Sequence, residues 1–261
     1  MFKSLNTAAT GMVAQQSNMD VVANNIANVN TVGFKKSRAE FEDLVYSNLK
    51  DPGQASGLQS VSPTGVQTGL GVRTAATQKD FTDGQAQITN NPLDMQIEGA
   101  GFFQVRTQDG EISYTRDGAF KKDPGGKLAD KNGNILIPEI TIPETAMIIE
   151  ILPNGEIKCI HNKDAAPEVL GQLEIANFIN PAGLKSVGKN LYVPSPASGQ
   201  ATAARPGTLG TGYISQGQLE TSNVNIVDEM INMISAQRAY ETNSKVIQTS
   251  DQMLQTAVNV K

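Results

Sequence analysis

The pattern of apolar and polar residues changes twice along this chain of 261 residues. Between residues 2 and 28, apolar residues recur at alternating spacings of three and four. This repeat predicts an amphipathic α-helix with one continuous apolar stripe. The stripe has a single polar member, Gln16, and consists of Phe2, Leu5, Ala9, Met12, Gln16, Met19, Ala23 and Ile26.

A second helical pattern covers residues 224–258, where no glycine or proline interrupts the chain. Its three–four repeat contains three polar positions and runs through Ile226, Met230, Met233, Gln237, Tyr240, Ser244, Ile247, Asp251, Leu254 and Val258. In the first half Val227, Ile231 and Ile234 widen the stripe into a broad apolar arc. We expect so broad an arc to require more than one neighbour to bury it.

The two helical patterns lie at opposite ends of the chain, and both show the seven-residue period of helices that supercoil. We therefore predict that residues 1–30 and 213–261 form a coiled-coil-like domain of antiparallel helices, with a return strand leading into the second helix. Gly11 costs about 1 kcal/mol relative to alanine, so the first helix is marginal alone. Two unrelated surface helices on one α+β domain would give the same pattern.

The middle of the chain, residues 71–212, has the pattern of an antiparallel β-domain. Short runs of alternating polarity are separated by Asp-Gly and Asn-Gly pairs, which are hairpin signals; the runs are Leu93–Ile97, Phe103–Val105, Ile135–Ile137, Met147–Ile151 and Leu173–Phe178. No ten-residue helical pattern separates them, which argues against a doubly wound parallel sheet. The predicted fold class is therefore α+β, with the β-domain internal in sequence to the two helices.

Residues 31–70 form a separate segment that has few apolar anchors and two Pro-Gly-type turns, at residues 51–53 and 62–65. Such a segment buries little surface by itself. The residues allow either a flexible loop or an extended, hairpin-like segment that neighbouring molecules order.

Composition and charge exclude some functions. The net charge is −5, from 21 basic and 26 acidic residues, so the basic footprint of a nucleic-acid-binding protein is missing. No apolar run approaches the about 20 residues of a membrane span. The first twenty residues also lack the apolar core of a secretory signal. We expect a cytoplasmic protein or one exported by a route that does not use such a signal.

The candidate chemistry is confined to Cys159 and His161, the single cysteine and the single histidine. Two residues apart on a strand, they would share one face. No other histidine or cysteine is present to complete a zinc site of three or four such ligands. We therefore predict no catalytic site, no metal site and no cofactor.

Two terminal motifs give the sequence a family resemblance. Residues 24–35, NNIANVNTVGFK, and residues 222–225 and 237–245, SNVN and QRAYETNSK, resemble the terminal signatures of the bacterial flagellar rod and hook proteins. The middle agrees in GFFQV at 101–105 and YTRDGAF at 114–120. The motif residues are Asn24, Asn25, Asn28, Thr31, Gly33, Phe34, Asn223, Gln237, Arg238, Tyr240 and Asn243.

The resemblance implies a structural subunit without enzymatic activity, which polymerises helically into a hollow shaft that transmits motor torque to the hook. The length and the 31–70 segment are most like the family's distal-rod type; hook and proximal-rod types are the alternatives, and a secreted β-rich binding module or hydrolase is a remote one. The family implies a rod crossing the periplasm, type III export without a cleaved signal peptide, and contacts with copies of itself, proximal rod proteins, the hook protein and the P-ring and L-ring proteins.

The apolar stripes supply the expected subunit interface. We predict that these residues contact neighbouring helices in the assembly: Phe2, Leu5, Met12, Met19, Ile26, Ile226, Met230, Met233, Ile234, Tyr240, Ile247 and Leu254.

Overall fold

The computed structural model describes residues 2–51, 64–161 and 167–259. Its chain divides into two compact units. The helical unit contains residues 1–27, 37–79 and 225–261, and the β unit contains residues 28–36 and 80–224. These ranges differ from the segments suggested by the sequence pattern, because antiparallel pairing joins residues 37–43 to residues 72–79 and places both with the helices.

The helical unit is built on α1 (Phe2–Ala27) and α2 (Ile226–Asn259), which contact each other. A Cβ on Gly11 would lie 2.9 Å from the side chain of Asn243, and Asn25 Nδ2 donates to Glu229 Oε2 at 3.2 Å. From the first of these contacts to the second, the residue number rises from 11 to 25 in α1 and falls from 243 to 229 in α2. The two helices therefore run antiparallel, as predicted; neither has a stretch that is long and apolar enough to cross a membrane.

The buried faces of both helices lie beside, and not on, the predicted stripes. In α1 the most deeply buried residues are Ala8, Ala14, Val22 and Asn25. In α2 they are Glu229, Ala236 and Ser250. Several stripe residues directly follow a buried residue and are exposed. They are Ala9 and Ala23 in α1 and Met230, Gln237 and Asp251 in α2. The residues buried within one subunit are thus mainly small or polar.

Two antiparallel ribbons complete the helical unit. β1 (Ser37–Asp43) pairs with β4 (Val72–Lys79), and α1 contacts both strands. β2 (Tyr46–Lys50) pairs with β3 (Val66–Gly69), so these parts of residues 31–70 are extended. Of the two turns expected there, residues 52–53 and 62–63 lie outside the described residues.

The β unit contains sixteen short strands in the described part of the chain, with a 3₁₀ turn at Pro181–Gly183. They are β5 (Ala86–Ile88), β6 (Met95–Glu98), β7 (Phe102–Arg106), β8 (Ile112–Thr115), β9 (Lys121–Lys122), β10 (Leu128–Ala129), β11 (Ile135–Ile137), β12 (Ile148–Ile151), β13 (Glu156–Ile160), β14 (Glu168–Gln172), β15 (Ile175–Asn177), β16 (Lys185–Gly188), β17 (Leu191–Val193), β18 (Thr202–Ala204), β19 (Tyr213–Gln216) and β20 (Gln218–Glu220).

The strands of the described residues all pair antiparallel. The largest sheet has nine strands, of which seven follow the order β16-β17-β8-β7-β11-β10-β9. The other two branch from β7, since β15 pairs with β7 and β18 pairs with β15. A three-stranded sheet has the order β12-β13-β14, and two ribbons pair β19 with β6 and β20 with β5. Each predicted alternating run contains a strand of these sheets, although the strands are shorter than three of the runs: Leu93, Asp94, Met147, Leu173, Glu174 and Phe178 lie outside them.

The core of the β unit has two parts, separated by β7. Because successive side chains of a strand point to opposite faces, Phe102 and Phe103 enter different clusters. Phe103 packs edge-to-face on Phe120, with ring centroids 5.3 Å apart, in a cluster of buried aliphatic residues. Phe102 packs in the same way on Phe81, also at 5.3 Å, in a smaller aromatic cluster that includes Tyr192.

Candidate assembly surface and the residues that support it

The first turns of α2 carry a continuous exposed apolar surface. Asn225 begins the helix as an N-cap, since its side chain accepts the backbone N–H of Val227 at 3.1 Å. The apolar residues that follow share one side of the helix, and 46–63% of each is exposed: Ile226, Val227, Met230, Ile231 and Ile234. The other side carries Asp228 and Asn232. Exposed apolar surface of this kind marks a site of protein association.

The remaining stripe residues are partly covered. Leu5, Met12, Met19 and Ile26 are half-buried in α1, next to Val13, which is 63% exposed. The side chain of Phe2 lies outside the described set. In α2, Met233, Ile247 and Leu254 are half-buried and Tyr240 is 39% exposed. Each helix therefore keeps apolar surface available beside the face that contacts its partner helix.

The N-terminal motif residue Asn25 connects three elements of the helical unit. Its side chain accepts the backbone N–H of Ser37 at 2.9 Å and donates to the Ser37 carbonyl at 2.8 Å and to Glu229. Asn25 thus ties α1 to the first residue of β1 and to the first turn of α2. A side chain with both an amide donor and an amide acceptor is required at this position. The neighbouring motif residue Asn24 is exposed.

Other motif residues shape the chain in the β unit. Asn28 Oδ1 accepts the Thr31 hydroxyl at 3.2 Å, and Phe34 is buried. Gly33 has φ +67°, in the left-handed region, and a Cβ there would lie 2.7 Å from the backbone of Arg116. Only glycine combines this backbone conformation with so close an approach.

The C-terminal motif begins with Asn223, which holds Lys36 and Asp80 of the β unit together. Its Oδ1 accepts the backbone N–H of Lys36 at 2.8 Å, and its Nδ2 donates to the carbonyl of Asp80 at 2.9 Å. The rest of this motif lies on α2, where Gln237 and Arg238 are exposed and Asn243 faces Gly11. The motif residues therefore fall into two groups, one that fixes the subunit's own chain and one that remains exposed.

A buried charge cluster, missed by sequence reasoning, lies in the β unit. Lys35 Nζ donates to Glu220 Oε1 at 2.6 Å, and Arg116 Nη1 lies 3.5 Å from Glu220 Oε2. All three side chains are at least 97% buried. Burial lowers the pKa of Lys35, against the opposing attraction of Glu220. Lys35 and Arg116 stand within the family motifs, which was the available signal, but their common partner could not be read from the sequence.

Cys159 and His161 lie together, and a third residue joins them. Cys159 Sγ is 3.4 Å from His161 Nε2, which is 3.0 Å from Glu168 Oε2. The Thr145 hydroxyl lies 3.0 Å from His161 Nδ1. Burial, with a smaller contribution from Glu168, raises the pKa of the Cys159 thiol. Sequence reasoning missed Glu168, which reaches Cys159 and His161 only through the register of β13 and β14.

Three family models match this chain. Residues 5–35 match the model described as flagella basal body rod protein, residues 96–159 match the flagellar hook protein FlgE/F/G D1 domain, and residues 215–260 match the flagellar basal body rod FlgEFG protein C-terminal model. They cover α1 with its motif, part of the β unit, and α2.

Curated relatives match over the whole length. A flagellar basal-body rod protein FlgG of Buchnera aphidicola is 48% identical over 98% of each chain. That of Borreliella burgdorferi is 48% identical over 100% of this chain and 99% of its own. The Salmonella typhimurium flagellar hook protein FlgE is more distant, at 23% identity over 99% of this chain.

The chain therefore belongs to the flagellar basal-body rod and hook protein family, as its motifs predicted. Within this family it is similar at 40–48% identity to rod proteins named FlgG, including that of Bacillus subtilis at 40% over 100% of each chain.

Proposed function

We propose that this chain is a structural subunit of the flagellar basal-body rod, of the distal-rod type. Copies polymerise helically into a hollow shaft that transmits motor torque to the hook. The proposal is supported by the full-length similarity to rod proteins and by the exposed apolar surface of α2. A helical filament requires head-to-tail contacts between unlike surfaces of identical subunits.

The apolar surface at the start of α2 is the observation that carries the proposal. Ile231 and Ile234 are 57% and 50% exposed in one subunit, although isoleucine belongs to the residue types most often buried. The stripe on α1 offers a second surface, through Leu5, Met12 and Met19. In the assembly, these stripes pack against helices of neighbouring copies in coiled-coil fashion and line the inner tube.

The proposed partners follow from this position in the assembly. Copies of the chain bind one another, the proximal rod proteins bind one end of the shaft and the hook protein binds the other. The P-ring and L-ring proteins surround the shaft where it crosses the periplasm, and the type III apparatus exports the chain without cleavage of a signal peptide. We propose no enzymatic activity and no interaction with nucleic acid.

Two other members of the family remain as alternatives, a hook subunit and a proximal rod subunit. The hook relative is 23% identical, against 40–48% for the rod proteins named FlgG. This difference favours the rod. A secreted β-rich binding module has no comparable support, because the similarity extends through both terminal helices.

The test is the substitution Ile234→Asp in full-length protein expressed in a strain that lacks its own copy. A carboxylate at this half-exposed position leaves the subunit fold intact, but a helical neighbour would have to bury it, at a cost of several kcal/mol. We expect export at normal levels, no rod extension in electron micrographs of basal bodies, and a loss of motility.

The matched control is Ser235→Asp, which places the same carboxylate one residue further on, towards the polar side of α2 that carries Asp228 and Asn232. It should retain rods and motility. Normal rods with Ile234→Asp, or equal loss with both variants, would contradict the assignment of this surface to assembly. Circular dichroism and protease resistance of the purified variants exclude general misfolding as the cause.

A further inference from the structure

The three-stranded sheet of the β unit brings together three side chains of the types that bind metal ions. Cys159 lies on β13 and His161 follows the strand directly, two residues later. The register pairs Cys159 with Glu168 of β14. Alternate residues of a strand, and residues paired across strands, share one face of a sheet. One ligand atom from each of the three residues can therefore approach a common point, and these atoms lie within 4.8 Å of one another.

The distances between these atoms are close to those of a zinc site. In tetrahedral coordination, with Zn–S of about 2.3 Å and Zn–N and Zn–O of about 2.0 Å, ligand atoms are separated by about 3.3–3.6 Å. Cys159 Sγ to His161 Nε2 is 3.4 Å, and His161 Nε2 to Glu168 Oε2 is 3.0 Å. The third pair, Cys159 Sγ and a Glu168 carboxylate oxygen, lies within 4.8 Å, and rotation of the largely exposed Glu168 side chain would bring the two atoms to the distance that zinc requires.

The contacts of the imidazole distinguish a cation site from a catalytic triad. A Cys–His–acid triad needs the thiol and the carboxylate on different ring nitrogens. Here both groups face Nε2, and Nδ1 is held by the Thr145 hydroxyl. One nitrogen offers a single hydrogen or lone pair and cannot bond fully to two groups, whereas a cation contacts all three. A hydrogen bond to the other ring nitrogen is the usual support of a metal-binding histidine.

The exposure of the cluster also suits an ion that keeps one water ligand. Cys159 is fully buried at the base, whereas the side chains of His161 and Glu168 are 31% and 64% exposed. The ion is thus reached from solvent, and its fourth position faces water, as in zinc sites with three protein ligands. A mixed sulfur, nitrogen and oxygen set favours zinc over magnesium or calcium, which take oxygen ligands.

We propose that Cys159, His161 and Glu168 bind one zinc ion per chain. Cys159 and His161 alone did not predict a metal site from the sequence, because the third ligand, Glu168, lies on the neighbouring strand β14. The bound ion links β13 to β14 and stabilises the folded β unit by mass action, since the unfolded chain does not hold the three ligands together.

The experiment titrates reduced, metal-free, full-length protein with Zn²⁺ by calorimetry and with Co²⁺ by absorbance. We expect one ion per chain, a thiolate-to-cobalt charge-transfer band in the near ultraviolet, and a higher Tm with zinc. Thr145→Val removes the hydroxyl that supports the imidazole, and we expect zinc binding to weaken about 10–100-fold. His161→Ala removes a ligand itself and should weaken binding at least about 100-fold. Cys159→Ser should abolish the charge-transfer band.

Glu150→Gln is the matched control, because Glu150 is an exposed carboxylate of the same sheet. It pairs with Lys158 and so lies on the opposite face from Cys159. Its affinity should be unchanged. Absence of the charge-transfer band in the native protein, or equal zinc affinity of the native protein and His161→Ala, would overturn the proposal. Glu168→Gln, at a mostly exposed position, gives a second test, with a loss of about 10-fold or more expected even if the other variants fold poorly.

Discussion

The two units of this protein bury apolar residues to very different extents. The β unit encloses large side chains completely, among them Phe102, Phe103 and Phe120. In the described part of the helical unit, the buried apolar residues are all small: Ala8, Ala14, Val22 and Ala236. Its isoleucines and methionines are half-buried or exposed instead. The chain therefore contains one unit with a core of large apolar side chains and one unit whose largest apolar side chains are not fully buried.

This difference indicates where each unit gains its stability. Full burial of a large apolar side chain contributes about 1.5–3 kcal/mol. The β unit therefore gains its stability from side chains buried within one subunit. A helix pair that buries only alanines, one valine and polar groups gains much less, while ordering each residue costs about 1–2 kcal/mol of backbone entropy. We infer that the helices reach full stability only when neighbouring copies cover their exposed stripes.

The largest expected contrast is in hydrogen exchange of the dilute subunit. Amides of β7 and β8 should exchange at least about 10³ times more slowly than those of α1 and α2, because they open only with the whole β unit. Exchange is measured by mass spectrometry on the full-length chain at low concentration. Equal protection in the helices would mean that they fold stably within one subunit, and the inferred contrast would be wrong.

The next effect concerns the buried charge cluster of the β unit. Glu220→Ala leaves Lys35 and Arg116 buried without their shared carboxylate, which should lower the free energy of unfolding by about 3–5 kcal/mol. Urea denaturation followed by tyrosine fluorescence measures this loss. As the control, Glu139→Ala removes a surface partner of Lys127 and should have little effect. Comparable losses in the two variants would show that burial of the cluster is unimportant.

A smaller effect should appear at alkaline pH. Burial raises the pKa of Tyr192 to about 12, whereas the unfolded value is near 10. The folded state then holds a proton that the unfolded state releases, so stability is complete below pH 10 and falls as the pH rises towards 12. The loss should reach about 2–3 kcal/mol. Tyr192→Phe should remove this part of the slope; an unchanged slope between pH 10 and 12 would contradict the assignment.

The smallest effect is expected from Gly11→Ala in α1. Alanine gains about 1 kcal/mol of helix propensity, but its Cβ would lie 2.9 Å from the amide of Asn243, which must move. We expect a net change in the free energy of unfolding within about 1 kcal/mol of zero. The double variant Gly11→Ala with Asn243→Ala, in which the amide is removed, should recover the gain. If Gly11→Ala alone gives the full gain, Gly11 is not needed for close packing of the helices.

Much of the architecture could be predicted from the sequence because it depends on local periodicity. The three–four repeats gave both helices, and the alternating runs with Asp-Gly and Asn-Gly turns gave the β unit between them. The terminal motifs also identified the family before any structural comparison.

The face that each helix buries was decided only by tertiary structure. A repeat shows where apolar residues lie, but it does not show whether the partner belongs to the same subunit or to a neighbour. Within the subunit, Gly11 and Ala236 lie on the contacting faces, since small residues let two backbones approach closely. The stripes with Met12 and Ile234 remain beside them, so the contact between α1 and α2 uses positions next to the repeats that the sequence showed, and the prediction that the stripes contact neighbouring copies stays a prediction.

Long-range partners were likewise beyond the sequence. Glu220 joins Lys35 across 185 positions and Arg116 across 104, and Glu168 meets His161 only through the register of β13 and β14. The chemical types of these residues were visible in the sequence, but their distances were not. Local propensity and periodicity act over a few residues and were therefore determined by the sequence alone, whereas strand order and buried ion pairs arise only when distant segments pack together.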